Sequence, residues 1–158
     1  MANFELVATG GTFDIIHQGH KTLLAKSFEI SKDVIIGLTS DELSEQRGKN
    51  ILNCYQKRYD ILTEMIHEHF GGHSFQISKL EDDFGPAVLE EGVQALVVSS
   101  ETQKQGDVLN EMRARRGLPP VDIVVVPMVL AQDGRRISTT RIRNSEVDVN
   151  GSLLPIDK

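Results

Sequence analysis

Residues 4–20 read FELVATGGTFDIIHQGH, and the succession of residue types along them sets the fold. Residues 4–8 are short, mostly apolar and free of polar alternation, the pattern of a strand covered on both faces. Gly10 and Gly11 interrupt that run, and a helical pattern begins near Gly19 and His20. Strand, glycine-rich loop and helix in succession form the opening of a parallel β-loop-α unit.

The same types recur downstream. Residues 34–38 (VIIGL), 95–98 (ALVV) and 123–126 (IVVV) are apolar runs of strand length, and residues 75–77 (FQI) are a weaker fifth. Helical patterns lie between them, over 20–30, 55–70, 85–91 and 108–116; in the second, Tyr55, Tyr59, Leu62 and Ile66 share one face. Strict alternation with short connections implies right-handed crossovers. It predicts an α/β fold: one Rossmann-like open parallel sheet with helices on both faces, a single domain over residues 1–158. Ligands of such sheets sit at the carboxyl ends of the strands where strand order reverses, so the loop at 9–20 is the expected border of the site.

The 158 residues carry 17 basic and 23 acidic side chains, a net charge of −6, with no basic stripe. Nucleic acid is not an expected partner, and an anionic small molecule would need locally placed cations. Cys54 is the one cysteine, which excludes an intramolecular disulfide and a cysteine-based zinc site; it reads as a half-buried thiol at a helix start. No apolar stretch approaches the roughly 20 residues that span a bilayer, and the first residues lack a charged, then apolar, leader. A soluble, cytoplasmic protein with no membrane partner is expected.

Gly10 and Gly11 are expected to adopt dihedrals closed to other residues and to let a ligand approach the backbone, a plain tight turn being the alternative. The following helix presents free N–H groups and its positive dipole end to the same crevice, which favours phosphate. Neither GxxxxGK[ST] nor GxGxxG is present, so phosphate would be held some other way. His17 and His20, three apart, can turn toward one ligand at a helix start. Without a third convergent ligand they make a poor zinc site; taken alone they read as surface or capping residues.

The HxGH of His17 to His20, read with ISTTRIR at 137–143, resembles the two hallmark motifs of a nucleotidyltransferase superfamily. GLTSDEL (37–43), KLEDDFGPA (79–87), SSET (99–102), NEMRARRGLPP (110–120) and STTRIRNSEVD (138–148) extend the likeness over nearly the whole chain, and are similar to archaeal-type phosphopantetheine adenylyltransferases. The resemblance implies adenylyl transfer from ATP to 4′-phosphopantetheine, giving dephospho-coenzyme A and pyrophosphate. A cytidylyltransferase acting on a small phosphorylated alcohol is the alternative within the same chemistry. A non-catalytic nucleotide-binding regulator is the alternative outside it.

Carried onto this sequence, the resemblance makes His20 and His17 the motif histidines, with His20 at the α-phosphate and Lys49, in the segment Arg47-Gly48-Lys49, a third catalytic cation. Gly10, Gly11 and Thr12 would admit and bridge phosphates, and Phe13 and Gly19 would line the nucleotide side. Asp14 either orients the loop or is a structural turn aspartate; Arg58 is either near the site or a solvated helix charge. Ser99 and Glu101 fall where the superfamily binds ribose and base. Ile137, Ser138, Thr139, Thr140 and Arg141 form the second motif, whose hydroxyls and guanidinium suit the β- and γ-phosphates. The acidic loop Glu81-Asp82-Asp83 is assigned to the pantetheine arm, the fold or solvent. Mg2+ is expected with ATP, held by phosphate oxygens and water with no protein ligand.

Overall fold

The computed structural model describes residues 4–14, 16, 18–46, 51–81, 92–99 and 103–126. Five strands, β1 (Phe4–Gly11), β2 (Ser31–Thr39), β3 (Ser74–Leu80), β4 (Ala95–Ser99) and β5 (Asp122–Val126), make one parallel sheet in the order β3-β2-β1-β4-β5. The helices are α1 (Gln18–Ile30), α2 (Asp41–Gln46), α3 (Tyr55–His69) and α4 (Lys104–Arg115). The first strand is therefore central, and strand order reverses beside it.

Alternate residues of each strand feed two separate cores, because successive side chains point to opposite faces. Val7, Ile36, Leu38 and Val97 pack with Leu24 and Phe28 of α1 and Leu62, Met65 and Ile66 of α3. Ala8, Ile35, Leu96 and Val98 pack with Leu109 of α4 on the other face. The expected open α/β sheet, covered on both faces, is what forms.

Three elements differ from expectation. β3 is a seven-residue strand rather than a three-residue one; it lies at the sheet edge, where Ser74, Gln76 and Lys79 can face solvent within a paired strand. α2 is additional: the Ser40 hydroxyl accepts from the Leu43 amide at 3.0 Å, a helix N-cap, and Asp41 and Glu42 complement the helix dipole in the first turn. α4 begins at Lys104 rather than 108. Its Gly106 is buried against Ile123, whose Cδ1 would lie 2.5 Å from any added Cβ, so a glycine that breaks the sequence pattern is a packing requirement. The helix expected over 85–91 lies outside the described residues. Among the described residues no helix is long and apolar enough to cross a membrane.

Candidate active site

β1 and β4 pair only at Val7–Ala95 and Ala8–Leu96, whereas β1 pairs with β2 as far as Gly11–Leu38. Beyond Ala8 the pairing of β1 with β4 ends, and the reversal of strand order at that point is where such sheets form their ligand crevice. Thr9 marks the fork: its buried hydroxyl donates to the Val97 carbonyl at 2.9 Å, satisfying an acceptor that the ladder leaves. Ser99 ends β4 on the far side of this crevice.

Gly10 and Gly11 are the last residues of β1, not a loop, and neither has a positive φ. The expectation of unusual glycine dihedrals is thus corrected. Gly10 is required by proximity, since a Cβ there would stand 2.9 Å from the Gly37 carbonyl oxygen on β2. The unusual backbone belongs to Phe13, at φ 51°, where a bulky side chain is strained by about 1–3 kcal/mol.

Both neighbours of Phe13 are clamped. The buried Asp14 carboxylate accepts from the Leu52 amide at 2.6 Å, the Asn53 amide at 3.3 Å and the Asn53 side-chain amide at 2.8 Å. Asp14 therefore both orients the loop and fastens it to the residues ahead of α3. On the other side, Arg58 Nη1 donates to the carbonyls of Thr12 (3.0 Å) and Thr39 (2.9 Å), Nε to Asn53 (3.0 Å), and Nη2 pairs with Asp41 at 2.8 Å. With 1% of its surface exposed, Arg58 is no solvated helix charge; it grips the ends of β1 and β2 together.

The Thr12 hydroxyl is engaged as well. Thr39 Oγ1 donates to Thr12 Oγ1 at 3.1 Å and stands 2.8 Å from Ser44 Oγ on α2. The Phe13 ring belongs to the core on the α1–α3 face and stacks at 4.8 Å, tilted 41°, against the imidazole of His20. Phe13 is 2% exposed, and among the described residues its ring contact toward this edge of the sheet is with that imidazole. His20 itself stands in the first turn of α1, with Gly19 before it, where the helix dipole favours anions.

At the start of α3 the Tyr55 ring is flanked by the Lys79 ammonium at 5.0 Å and the Arg58 guanidinium at 5.8 Å. Burial, then the neighbouring Tyr59, push the Tyr55 hydroxyl above its ordinary 10.0, with Arg58 pulling the other way. Cys54, in extended conformation at the N-cap of α3, is exposed rather than half-buried. His17, Lys49, Glu101 and the second motif, Ile137, Ser138, Thr139, Thr140 and Arg141, lie outside the described residues.

The structure thus brings Gly10, Gly11, Thr12, Phe13, Gly19 and His20 to one edge of the sheet, with Ser99 across the fork. Thr39, Ser44 and Asp41 join them unannounced by sequence reasoning. The signal available for them is the run at 37–44, GLTSDELS, which sets three hydroxyl residues and Asp41 directly after an apolar strand.

Residues 8–145 match the cytidylyltransferase-like family. A phosphopantetheine adenylyltransferase of Methanopyrus kandleri is 38% identical over 148 residues, 94% of each chain, and one of Pyrococcus horikoshii is 38% identical over 154 residues, 96% of each. The chain belongs to the phosphopantetheine adenylyltransferase family. A crystal structure of a protein of unknown function from Archaeoglobus fulgidus superposes with a TM-score of 0.70 at 24% identity, over 96% of this chain and all of that one. That likeness extends the α/β fold, and the fold alone, to a more distant sequence.

Proposed function

We propose that the protein transfers the adenylyl group of ATP to 4′-phosphopantetheine, forming dephospho-coenzyme A and pyrophosphate in coenzyme A biosynthesis. It is a nucleotidyltransferase. The observation that carries this reading is the 38% identity spanning nearly the full length of both chains to relatives named for that activity. The crevice supports it: a helix N-terminus, a hydroxyl and an imidazole converge where the central strands part, a set suited to phosphate.

In this reading an oxygen of the acceptor phosphate attacks the α-phosphorus of ATP in line, a new P–O bond forms, and the bond to the departing pyrophosphate breaks. A phosphate is a competent nucleophile at neutral pH, so no covalent enzyme intermediate is needed and catalysis is positioning plus charge stabilisation. His20 donates toward the charge developing on the α-phosphate, held in aim by the Phe13 ring. Thr12 donates to a phosphate oxygen. His17, Lys49 and Arg141 are assigned to the same phosphates by the motifs, Ser99 and Glu101 to the nucleoside. Mg2+ enters with the nucleotide as part of the substrate. The setting is the cytoplasm, with no nucleic-acid or membrane partner.

The test is pyrophosphate release with 4′-phosphopantetheine and each nucleoside triphosphate in turn. Turnover with ATP well above CTP is expected. Preference for CTP would transfer the protein to the cytidylyltransferases, and binding without turnover would make it a regulator.

A further inference from the structure

Thr39 and Ser44 are both fully buried, at 0% exposure, at a strand end and in a short helix where valine and alanine would pack without a polar group to satisfy. Burying hydroxyls is unfavourable unless each finds a partner. Their partners form a chain that ends on Thr12, at the mouth of the crevice, and the protons along it can be counted.

Each hydroxyl has one proton and two lone pairs. Thr39 spends its proton on Thr12 Oγ1, at 3.1 Å. Its 2.8 Å contact with Ser44 Oγ is then a bond in which Ser44 donates. The Ser44 hydroxyl is also placed to donate to the Ser40 carbonyl at 2.8 Å; that carbonyl already accepts the Ser44 amide at 3.0 Å and is not orphaned when the hydroxyl proton turns to Thr39, whose own proton, committed to Thr12, cannot serve the 2.8 Å contact between the two hydroxyls. The direction along the chain is therefore Ser44 to Thr39 to Thr12. Among the described residues one proton is left over: that of Thr12. Arg58 Nη1 fixes both ends of the last link, since it holds the carbonyls of Thr12 and of Thr39 together.

We propose that Thr39 and Ser44 are positioning residues that form, with Thr12, a one-way hydroxyl relay, turning Thr12 into a dedicated hydrogen-bond donor to a phosphate oxygen of the substrates. The inference rests on the reading of the crevice as a phosphate site and names the device that aims one of its donors. A free threonine hydroxyl rotates and serves as donor or acceptor. Here one lone pair of Thr12 is occupied from within the protein, and the outward proton is polarised by the two bonds behind it. Such a group favours an anion over a neutral acceptor.

The variants are Thr39→Val, Thr39→Ser, Ser44→Ala, Thr12→Val and the Thr12→Val/Thr39→Val pair, each assayed for pyrophosphate release and titrated calorimetrically with ATP and with 4′-phosphopantetheine. Thr39→Val keeps the β-branched shape and leaves Ser44 its bond to Ser40, so thermal melting is expected near wild type. Losing the aimed charge-assisted bond is expected to lower kcat/KM about tenfold in Thr39→Val. Thr39→Ser, which restores the hydroxyl, is expected to recover most of that loss. Ser44→Ala, one link further from the ligand, is expected to lose about threefold. The pair should be no worse than Thr12→Val alone, because Thr39 acts through Thr12. A merely structural role predicts instead that the two losses multiply, and that result, or a Thr39→Val enzyme equal to wild type, overturns the relay. A wild-type protein that binds neither substrate overturns the phosphate reading and the relay with it, whereas wild-type turnover with an unimpaired Thr39→Val overturns the relay alone.

Discussion

Replacing Arg58 by methionine removes a buried fork while leaving an apolar stem of similar length, and its cost can be worked bond by bond. Cutting a fully buried ion pair costs about 3–5 kcal/mol because the partner charge is stranded. Asp41, however, keeps 38% of its side chain exposed and rehydrates, so most of that penalty does not arise. The Thr39 carbonyl, on a buried residue, loses its Arg58 donor with no route to water, at about 1–3 kcal/mol. The carbonyls of Thr12 and Asn53 belong to partly exposed residues and are each expected to lose the net worth of one bond, about 0.5–1.5 kcal/mol. The total is about 4 kcal/mol. For a domain of this size that is a fall of about 8–16 °C in melting temperature. Urea titration of Arg58→Met with an unchanged m-value would measure it. Arg58→Lys should fall between, since an ammonium reaches one or two of these acceptors but cannot reproduce the fork. A methionine variant within about 0.5 kcal/mol of wild type, the range of neutral surface changes, would refute the clamp.

Other changes probe the same edge of the sheet. His20→Ala is expected to fold normally and to lose about 100- to 1,000-fold in kcat, the usual cost of one preorganised donor to developing charge; near wild-type kcat in the purified variant would remove His20 from the chemistry. Gly10→Ala forces a methyl to within 2.9 Å of the Gly37 carbonyl, so denaturant titration should show a loss of about 1–3 kcal/mol, and an unaffected variant would mean that β1 and β2 can separate freely. Tyr55 titrates above 10.0 because burial disfavours the phenolate; its contribution to stability is complete below pH 10 and is lost as pH rises through the folded value. Alkaline unfolding followed in wild type and Tyr55→Phe should show the variant holding its stability further into that range.

What the sequence disclosed and what it withheld divide along physical lines. Apolar runs buried on both faces announce themselves, so β1, β2, β4 and β5 and their order with the helices were legible. β3 was half hidden because an edge strand carries polar residues on its open side. α2 was missed because its six residues make fewer than two helical turns, too few for an apolar pattern to repeat; only Ser40 followed by Asp41 and Glu42 marked its start. In the site, local chemistry was legible: the paired glycines, Thr12, the HxGH histidine and the helix start. Burial of a polar group is a tertiary property, and nothing local to Arg58, Thr39 or Ser44 shows that each is enclosed. The strain likewise fell on Phe13 rather than on the glycines beside it, since Arg58 and Asp14, which hold it, come from different parts of the chain and the fold alone brings their partners together.

The central place of β1 has a consequence for how the chain is made. β1 leaves the ribosome first, and its partner on one side, β2, is complete at Thr39. Its partner on the other side, β4, starts at Ala95, 56 residues later. At ordinary synthesis rates that interval lasts about 3–11 s, during which the half-sheet β3-β2-β1 has an uncovered apolar edge at Val7 and Ala8. This late seam is also the narrowest, two paired residues against seven between β1 and β2. Nascent chains are therefore most open to mispairing or to capture by a chaperone in that window, and the fork beside β1 comes into being only after the half of the sheet that β1 shares with β2 and β3.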